Sequence, residues 1–265
     1  MKVSANGIEI NYTIEGEGPW LTMSTSLTCD LHMWDEEAKR LSKFYKVLRY
    51  DTRGHGATSA PPGPYTQDML ATDLYELFQV LGVRSTHFVG LSMGGMIGQT
   101  FALKYPGFFR SLALCDTTSR YPPEVADTRL ERIKIAESEG MEGVLQGTLG
   151  RYFTEPFRKA RADVINKFAT MIRNTPVAGY VGCTLANMRI NLTARLNQIR
   201  CPTIVIVGEH DHSTTVAMAE EIHKAIAGSE LVIIRSAAHM SNAEQPDAFN
   251  KALGEFLCKV ERAGQ

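Results

Sequence analysis

"HFVGLSMGGMIG", residues 87–98, sets one serine among four glycines directly behind an apolar run that reads as a buried strand. Glycine inside an element costs about 0.5–1 kcal/mol relative to alanine, so this density marks a backbone path that side chains would block. Gly90-Leu91-Ser92-Met93-Gly94 is a G-x-S-x-G match. Bare matches arise by chance in roughly one chain in ten of this length at ordinary glycine usage, so the weight rests on context. Between a strand and a helix the motif folds as a tight turn with a strained serine, lifts the hydroxyl clear of the sheet and aims the Met93 N–H at the same point. The bland alternative is a glycine-rich helix start with an idle serine, and the strand–turn–helix context favours the turn.

Working outward, short apolar runs recur at 47–50, 87–89, 112–114, 203–207 and 231–234. Helical spacing fills most gaps. Leu70, Leu74, Leu77, Phe78 and Leu81 share one helical face before the stop at Gly82, and Phe249, Leu253, Phe256, Leu257 and Val260 repeat the pattern behind Pro246. Doubly apolar strands alternating with helices predict an α/β fold, a mostly parallel doubly wound sheet with helices on both faces. The runs on either side of Gly16, Gly18 and Pro19 read as an opening hairpin. From about 120 to 198 no strand is legible and the text reads as several helices, one of them over 156–173. The expected organisation is a core of 1–120 and 197–265 with a helical cap at 121–196.

Composition narrows the function classes. The 265 residues are 44% hydrophobic and 22% charged, enough for a sizeable core. A net charge of −1 supplies no footprint for nucleic acid or an anionic membrane, so the expected partner is a small neutral or mildly anionic molecule. The first twenty residues lack the apolar stretch of a signal peptide and no run is long enough to span a bilayer, which makes the cytoplasm the expected compartment. Five scattered cysteines without a CxxC pair read as free thiols. No cofactor is implied.

Ligands in an open α/β sheet bind beyond the carboxyl ends of strands, so the polar residues there are the candidates. A serine hydroxyl needs a base to take its proton and a carboxylate to orient that base. For this fold the chain order is serine, acid, histidine, which sets aside His32, His55 and His87. His223 lies within a helical stretch, where a solvated face is the expected role; His239, in "RSAAHMSNAEQP" after the last strand, is the candidate base. Asp211, in "IVIVGEHDH" after the penultimate strand, is the leading acid, with Glu209 and Asp116 as competitors. His210 and His212 flank it without a third ligand, so no metal is expected. A second oxyanion donor belongs to the loop after an early strand, where "TMSTSLTCDLHMW" offers the Leu27 N–H beside that of Met93. Cys29 in that loop has no turn around it and reads as a small buried residue.

With these segments in order, the chain resembles the α/β-hydrolase superfamily, and "YDTRGHGATSAPPGPYT" matches its D-x-R-G-x-G-x-S segment, in which Asp51, Arg53 and Ser59 are expected to be structural. More narrowly, "TSLTCDLHMWDEE", "GLSMGGMIGQ" and "AAHMSNAEQPDAF" resemble the 3-oxoadipate enol-lactonase branch, whose members open a small carboxylate-bearing lactone in bacterial aromatic catabolism. The resemblance implies Ser92 as nucleophile, Asp211 and His239 as its partners, and Leu27 and Met93 as oxyanion donors. Three departures bear on substrate. The branch reads N-S-L-G where this chain has Thr25-Ser26-Leu27-Thr28, its cap carries R-W-F where this chain has Arg151-Tyr152-Phe153, and a proline after the acid loop is absent in "HDHSTTV". Arg151 is the candidate to hold a substrate carboxylate by a charge-assisted fork, against the bland role of a surface ion-pair partner, and Tyr152 is the second candidate substrate contact.

Three functions compete: a serine hydrolase of small esters or lactones, a perhydrolase or haloperoxidase-like enzyme sharing the same residues, and a ligand receptor that keeps the fold while turning over negligibly.

Overall fold

In the computed structural model, which describes residues 1–263, the apolar runs become strands β1 (Lys2–Ala5), β2 (Ile8–Glu15), β3 (Trp20–Ser24), β4 (Lys46–Tyr50), β5 (Thr86–Leu91), β6 (Phe109–Cys115), β7 (Thr203–Gly208) and β8 (Glu230–Ile234). They form one sheet in the order β1-β2-β4-β3-β5-β6-β7-β8, parallel from β4 to β8. Helices α1 (Asp35–Leu41), α2 (Gln67–Leu81), α3 (Met93–Lys104), α8 (Val216–Ala225), α9 (Ser241–Glu244) and α10 (Pro246–Ala263) punctuate the strands, and α4 (Ala126–Tyr152), α5 (Glu155–Ala160), α6 (Ala162–Asn174) and α7 (Val177–Met188) all fall between β6 and β7.

Period-two alternation within buried strands explains the layering. On β5, Val89 and Leu91 join the hydrophobic cluster on one face and Phe88 the cluster on the other; on β7, Ile204 and Ile206 go one way, Val205 and Val207 the other. Helices α2, α3 and α8 cover one face. Helix α10 covers the other, together with Leu145, Leu149, Phe153, Phe168 and Ile172 from the insertion. Local chemistry sets the helix ends: the Thr66 hydroxyl accepts the Met69 N–H at 3.1 Å to open α2, and Gly82 at φ 68° closes it.

Two expectations need correction. The opening hairpin joins β1 to β2 across Asn6-Gly7, and the run after Pro19 does not pair with β2 at all; β3 lies beyond β4, parallel to β4 and β5. Asn6 and Gly7 sit at φ 45° and 74°, the paired positive values that a two-residue hairpin turn requires, whereas the segment through Gly16 and Gly18 carries the chain past β4. The helix expected over 156–173 is two helices, broken where Arg161 leaves helical geometry at φ −124°, ψ 58°. Among the described residues no helix is long and apolar enough to cross a membrane.

Candidate active site

The carboxyl ends of β5, β7 and β8 bring three side chains together above the sheet. Ser92 sits between β5 and α3 at φ 55°, ψ −111°, a conformation that side chains rarely adopt, held by its N–H on Cys115 O at 2.9 Å and by the Thr117 hydroxyl on its carbonyl at 2.7 Å. The glycines earn their place by distance. A Cβ on Gly90 would stand 2.3 Å from Gly94 O, and one on Gly94 would stand 2.3 Å from Ser24 O. Helix α3 can thus begin against β3 with Met93 as its first residue.

Ser92 Oγ lies 2.9 Å from His239 Nε2, and Asp211 Oδ2 lies 2.8 Å from His239 Nδ1. Three side chains up to 147 positions apart thus form one hydrogen-bonded row. The acid loop closes on its own carboxylate: the N–H groups of Ser213 and Thr214 donate to Oδ1 at 2.7 and 2.9 Å, and the Thr214 hydroxyl donates to Oδ2 at 2.7 Å. Burial by itself would raise the Asp211 carboxyl, but His239 and these donors outweigh it and hold it below the usual carboxylate range. Asp211 is therefore a charged acceptor suited to fixing a histidine tautomer.

The competing acids are used elsewhere. Asp116, fully buried at φ 43°, accepts the Ser241 hydroxyl at 2.5 Å and the Gly208 N–H at 2.8 Å, so it ties the end of β6 to the end of β7 and to the start of α9 just past the histidine. Burial and the nearby Asp211 push its carboxyl well above the ordinary value. Glu209 accepts the Ser236 N–H at 3.0 Å. His210 and His212 are exposed, and His223 is not simply solvated: its Nδ1 lies 2.9 Å from the Ser229 hydroxyl. Cys29 is buried with its thiol pushed up by that burial, the reverse of an activated nucleophile. Asp51 receives the N–H groups of Leu31 at 2.7 Å and Ala57 at 2.9 Å, Arg53 forks onto Asp73 at 2.7 and 2.6 Å, and the Ser59 hydroxyl accepts the Glu9 N–H at 3.1 Å.

Above the row lies a narrow cavity of about 50 Å³ whose lining includes Leu27, Ser92, His239, Arg151 and Tyr152. The Tyr152 hydroxyl donates to Leu27 O and lies 3.1 Å from Thr28 Oγ1, while its ring packs 5.4 Å from the His239 ring. Two of the three sequence departures are therefore one feature. Thr28 stands at φ 64°, where glycine is the easy residue, and its hydroxyl meets the phenol that replaces the tryptophan of the R-W-F pattern. Arg151 is no surface ion pair: its guanidinium bonds Thr148 Oγ1 at 3.0 Å, and burial, with like-charge repulsion from Arg132, brings it down to about 10.

Several residues of the site escaped the sequence reading. Glu244 receives the Thr154 N–H and hydroxyl at 3.0 and 2.7 Å on one oxygen and the Ala238 N–H at 2.5 Å on the other, and Met240 N–H bonds Tyr152 O at 3.0 Å, so the histidine loop is clamped to the end of α4. Arg129, Arg132, Tyr121 and Tyr180 also line the cavity. The only linear signal was an R-x-x-R spacing at 129–132, which sets both arginines on one helical face.

The family model for the alpha/beta hydrolase fold matches residues 25–246. Over 253 residues the chain is 33% identical to 3-oxoadipate enol-lactonase 2 of Acinetobacter baylyi, covering 95% of this chain and 94% of that one. It superposes on the crystal structure of the enol-lactonase from Burkholderia xenovorans with a TM-score of 0.93 at 37% identity, covering 97% of this chain and all of that one, and on a thermophilic esterase from Thermogutta terrifontis with a TM-score of 0.92 at 29% identity. A sheet that delivers a serine, a carboxylate and a histidine from the ends of β5, β7 and β8, matched over nearly its whole length by these proteins, makes this chain a member of the alpha/beta hydrolase family.

Proposed function

We propose that the protein is a serine hydrolase of a small carboxylate-bearing ester or lactone, of the enol-lactonase kind, working through an acyl-enzyme without a cofactor. Ser92 Oγ attacks the carbonyl carbon while His239 Nε2 takes its proton, and Asp211 keeps the imidazole in the tautomer that can accept it. The N–H groups of Leu27 and Met93 receive the oxyanion, Met93 with the help of the α3 N-terminus. Collapse breaks the carbonyl–oxygen bond, and the proton on His239 passes to the leaving oxygen. Water then attacks the acyl carbon as His239 takes its proton; collapse breaks the bond to Ser92 Oγ, and His239 returns the proton to that oxygen as the acid leaves. With a lactone the leaving oxygen stays on the acyl chain, so one molecule is released. Arg151 takes the substrate carboxylate, Tyr152 holds the Leu27 loop in place, and residues 121–196 act as the cap that walls off water.

The observation that carries this reading is the row Ser92–His239–Asp211, with contacts of 2.9 and 2.8 Å, opening into a cavity with a buried guanidinium. The likeness to the two enol-lactonases favours a lactone over an open-chain ester. The test is a turnover panel of carboxylate-bearing lactones, including muconolactone-derived enol-lactone, beside p-nitrophenyl esters. Wild type is expected to hydrolyse the lactones faster, and Ser92→Ala to lose about 10⁴–10⁶ in kcat. Equal rates for the two proteins, or no fluorophosphonate adduct on Ser92, would turn the reading toward a ligand receptor.

A further inference from the structure

The cavity carries more positive charge than a single carboxylate accounts for. Arg129, Arg132 and Arg151 all line it, and no aspartate or glutamate does. Elsewhere several arginines of this protein meet acids, among them Arg49 with Glu15 and Asp35, Arg53 with Asp73, and Arg120 with Glu221. Among the described residues the three cavity arginines form no such bridge, and the acid that supports the charge of one of them is Glu131, next to Arg132 in the chain. Arg151 bonds Thr148, and Arg129 lies over the Tyr121 ring at 3.9 Å. They also feel one another, since Arg132 and Arg129 disfavour the charge on Arg151, and Tyr180 lies in the field of all three.

Their meeting is a device of the backbone. Arg132 and Arg151 would stand about 28 Å apart along a straight helix, but α4 breaks its geometry at Gly140, φ 70° and ψ −169°, and folds its two halves toward the same cavity. Three half-buried like charges with so little counter-charge are costly unless an anion from outside supplies what is missing. We propose that the substrate is a dianion with two carboxylates, one held by Arg151 beside Thr148 and the other by Arg129 and Arg132, so that the scissile carbonyl is set over Ser92 from two anchored ends. The proposal rests on the hydrolase reading and adds a second anionic anchor to it.

Calorimetric titration of the Ser92→Ala protein with succinate, glutarate and adipate, each against its own monomethyl ester, tests the inference without turnover. At least one diacid is expected to bind about tenfold or more tighter than its monoester, with the gap shrinking as salt is raised. Arg129→Gln combined with Arg132→Gln should weaken the diacid about fivefold or more beyond any loss for the monoester, closing the gap; Arg129→Lys with Arg132→Lys, which keeps the charge and guards against misfolding, should restore part of it. The idea is overturned if no diacid outbinds its monoester, or if the double glutamine variant keeps the preference in full. Methyl phosphate binding tighter than every diacid would also overturn it, by assigning the charge to one phosphoryl group. Failure of the hydrolase reading would appear separately, as absent turnover of every ester and lactone.

Discussion

The floor of the cavity comes from strand ends and its roof from helix faces, and they hold polar groups in different ways. On the floor each group is fixed by backbone N–H and C=O groups together with short hydroxyls: two N–H groups and the Thr214 hydroxyl on Asp211, Cys115 O and the Thr117 hydroxyl on the backbone of Ser92, and the Gly208 N–H and Ser241 hydroxyl on Asp116 beneath the histidine loop. On the roof the charges rest on neighbouring side chains, a threonine for Arg151 and an aromatic ring for Arg129. A floor built this way is organised before substrate arrives, as electrostatic catalysis requires. On the proposed reading a roof built this way is completed by what binds, and is where specificity can change without disturbing the chemistry.

Substitutions on each surface, and at the seam between them, can break that contrast. The largest effect is expected on the floor. Asp211→Asn should lower kcat by about 10³–10⁴ with KM nearly unchanged, because an amide at this position favours the wrong histidine tautomer; steady-state kinetics that show a change mainly in KM would place Asp211 outside the proton relay. Tyr152→Phe tests the join of roof and floor. It frees the Leu27 carbonyl and Thr28 hydroxyl while keeping the ring on His239, and kcat should fall about tenfold, with about 1–2 kcal/mol of stability lost to the unpaired carbonyl. Unchanged kcat in that variant would mean that the loop holds its shape without the phenol.

The smallest effect on turnover is expected at the second seam, where Glu37 is buried near α6 and α9 among Lys167, Phe168 and Asn242. Burial, only partly offset by the Asn242 hydrogen bond, pushes its carboxyl up from 4.5 to about 7. A carboxyl raised on folding contributes fully while protonated, so wild type loses stability as the pH rises from its unfolded value through the folded one, by on the order of 3 kcal/mol at most. Glu37→Gln removes that dependence. Thermal unfolding should show the variant more stable at about pH 8.5 and level with wild type near pH 4.5; parallel curves across this range would refute the assignment.

The linear text made the floor legible because its information is local. The strand before Ser92, the glycines around it and the order of the acid and histidine loops each occupy a few consecutive residues, and the sheet converts that order into proximity since neighbouring parallel strands present their carboxyl ends on one edge. Asn6-Gly7 is equally local, but the glycines at 16 and 18 carry the same turn signal, and that signal places the first hairpin one strand too late. The acid remained a choice among Asp211, Glu209 and Asp116, because three carboxylates near strand ends differ only in which way their side chains turn.

By itself the sequence determined the α/β fold and the neighbourhood of Ser92, since hydrophobic period and glycine sterics act over a few residues. Only the tertiary structure decided that Tyr152 would grip the Leu27 loop across 125 positions, that Glu244 would clamp the histidine loop to α4, and that a bend at Gly140 would gather three arginines over one serine. Those contacts depend on how helix faces pack against a sheet, and packing is settled by the shape of the whole molecule rather than by any stretch of it.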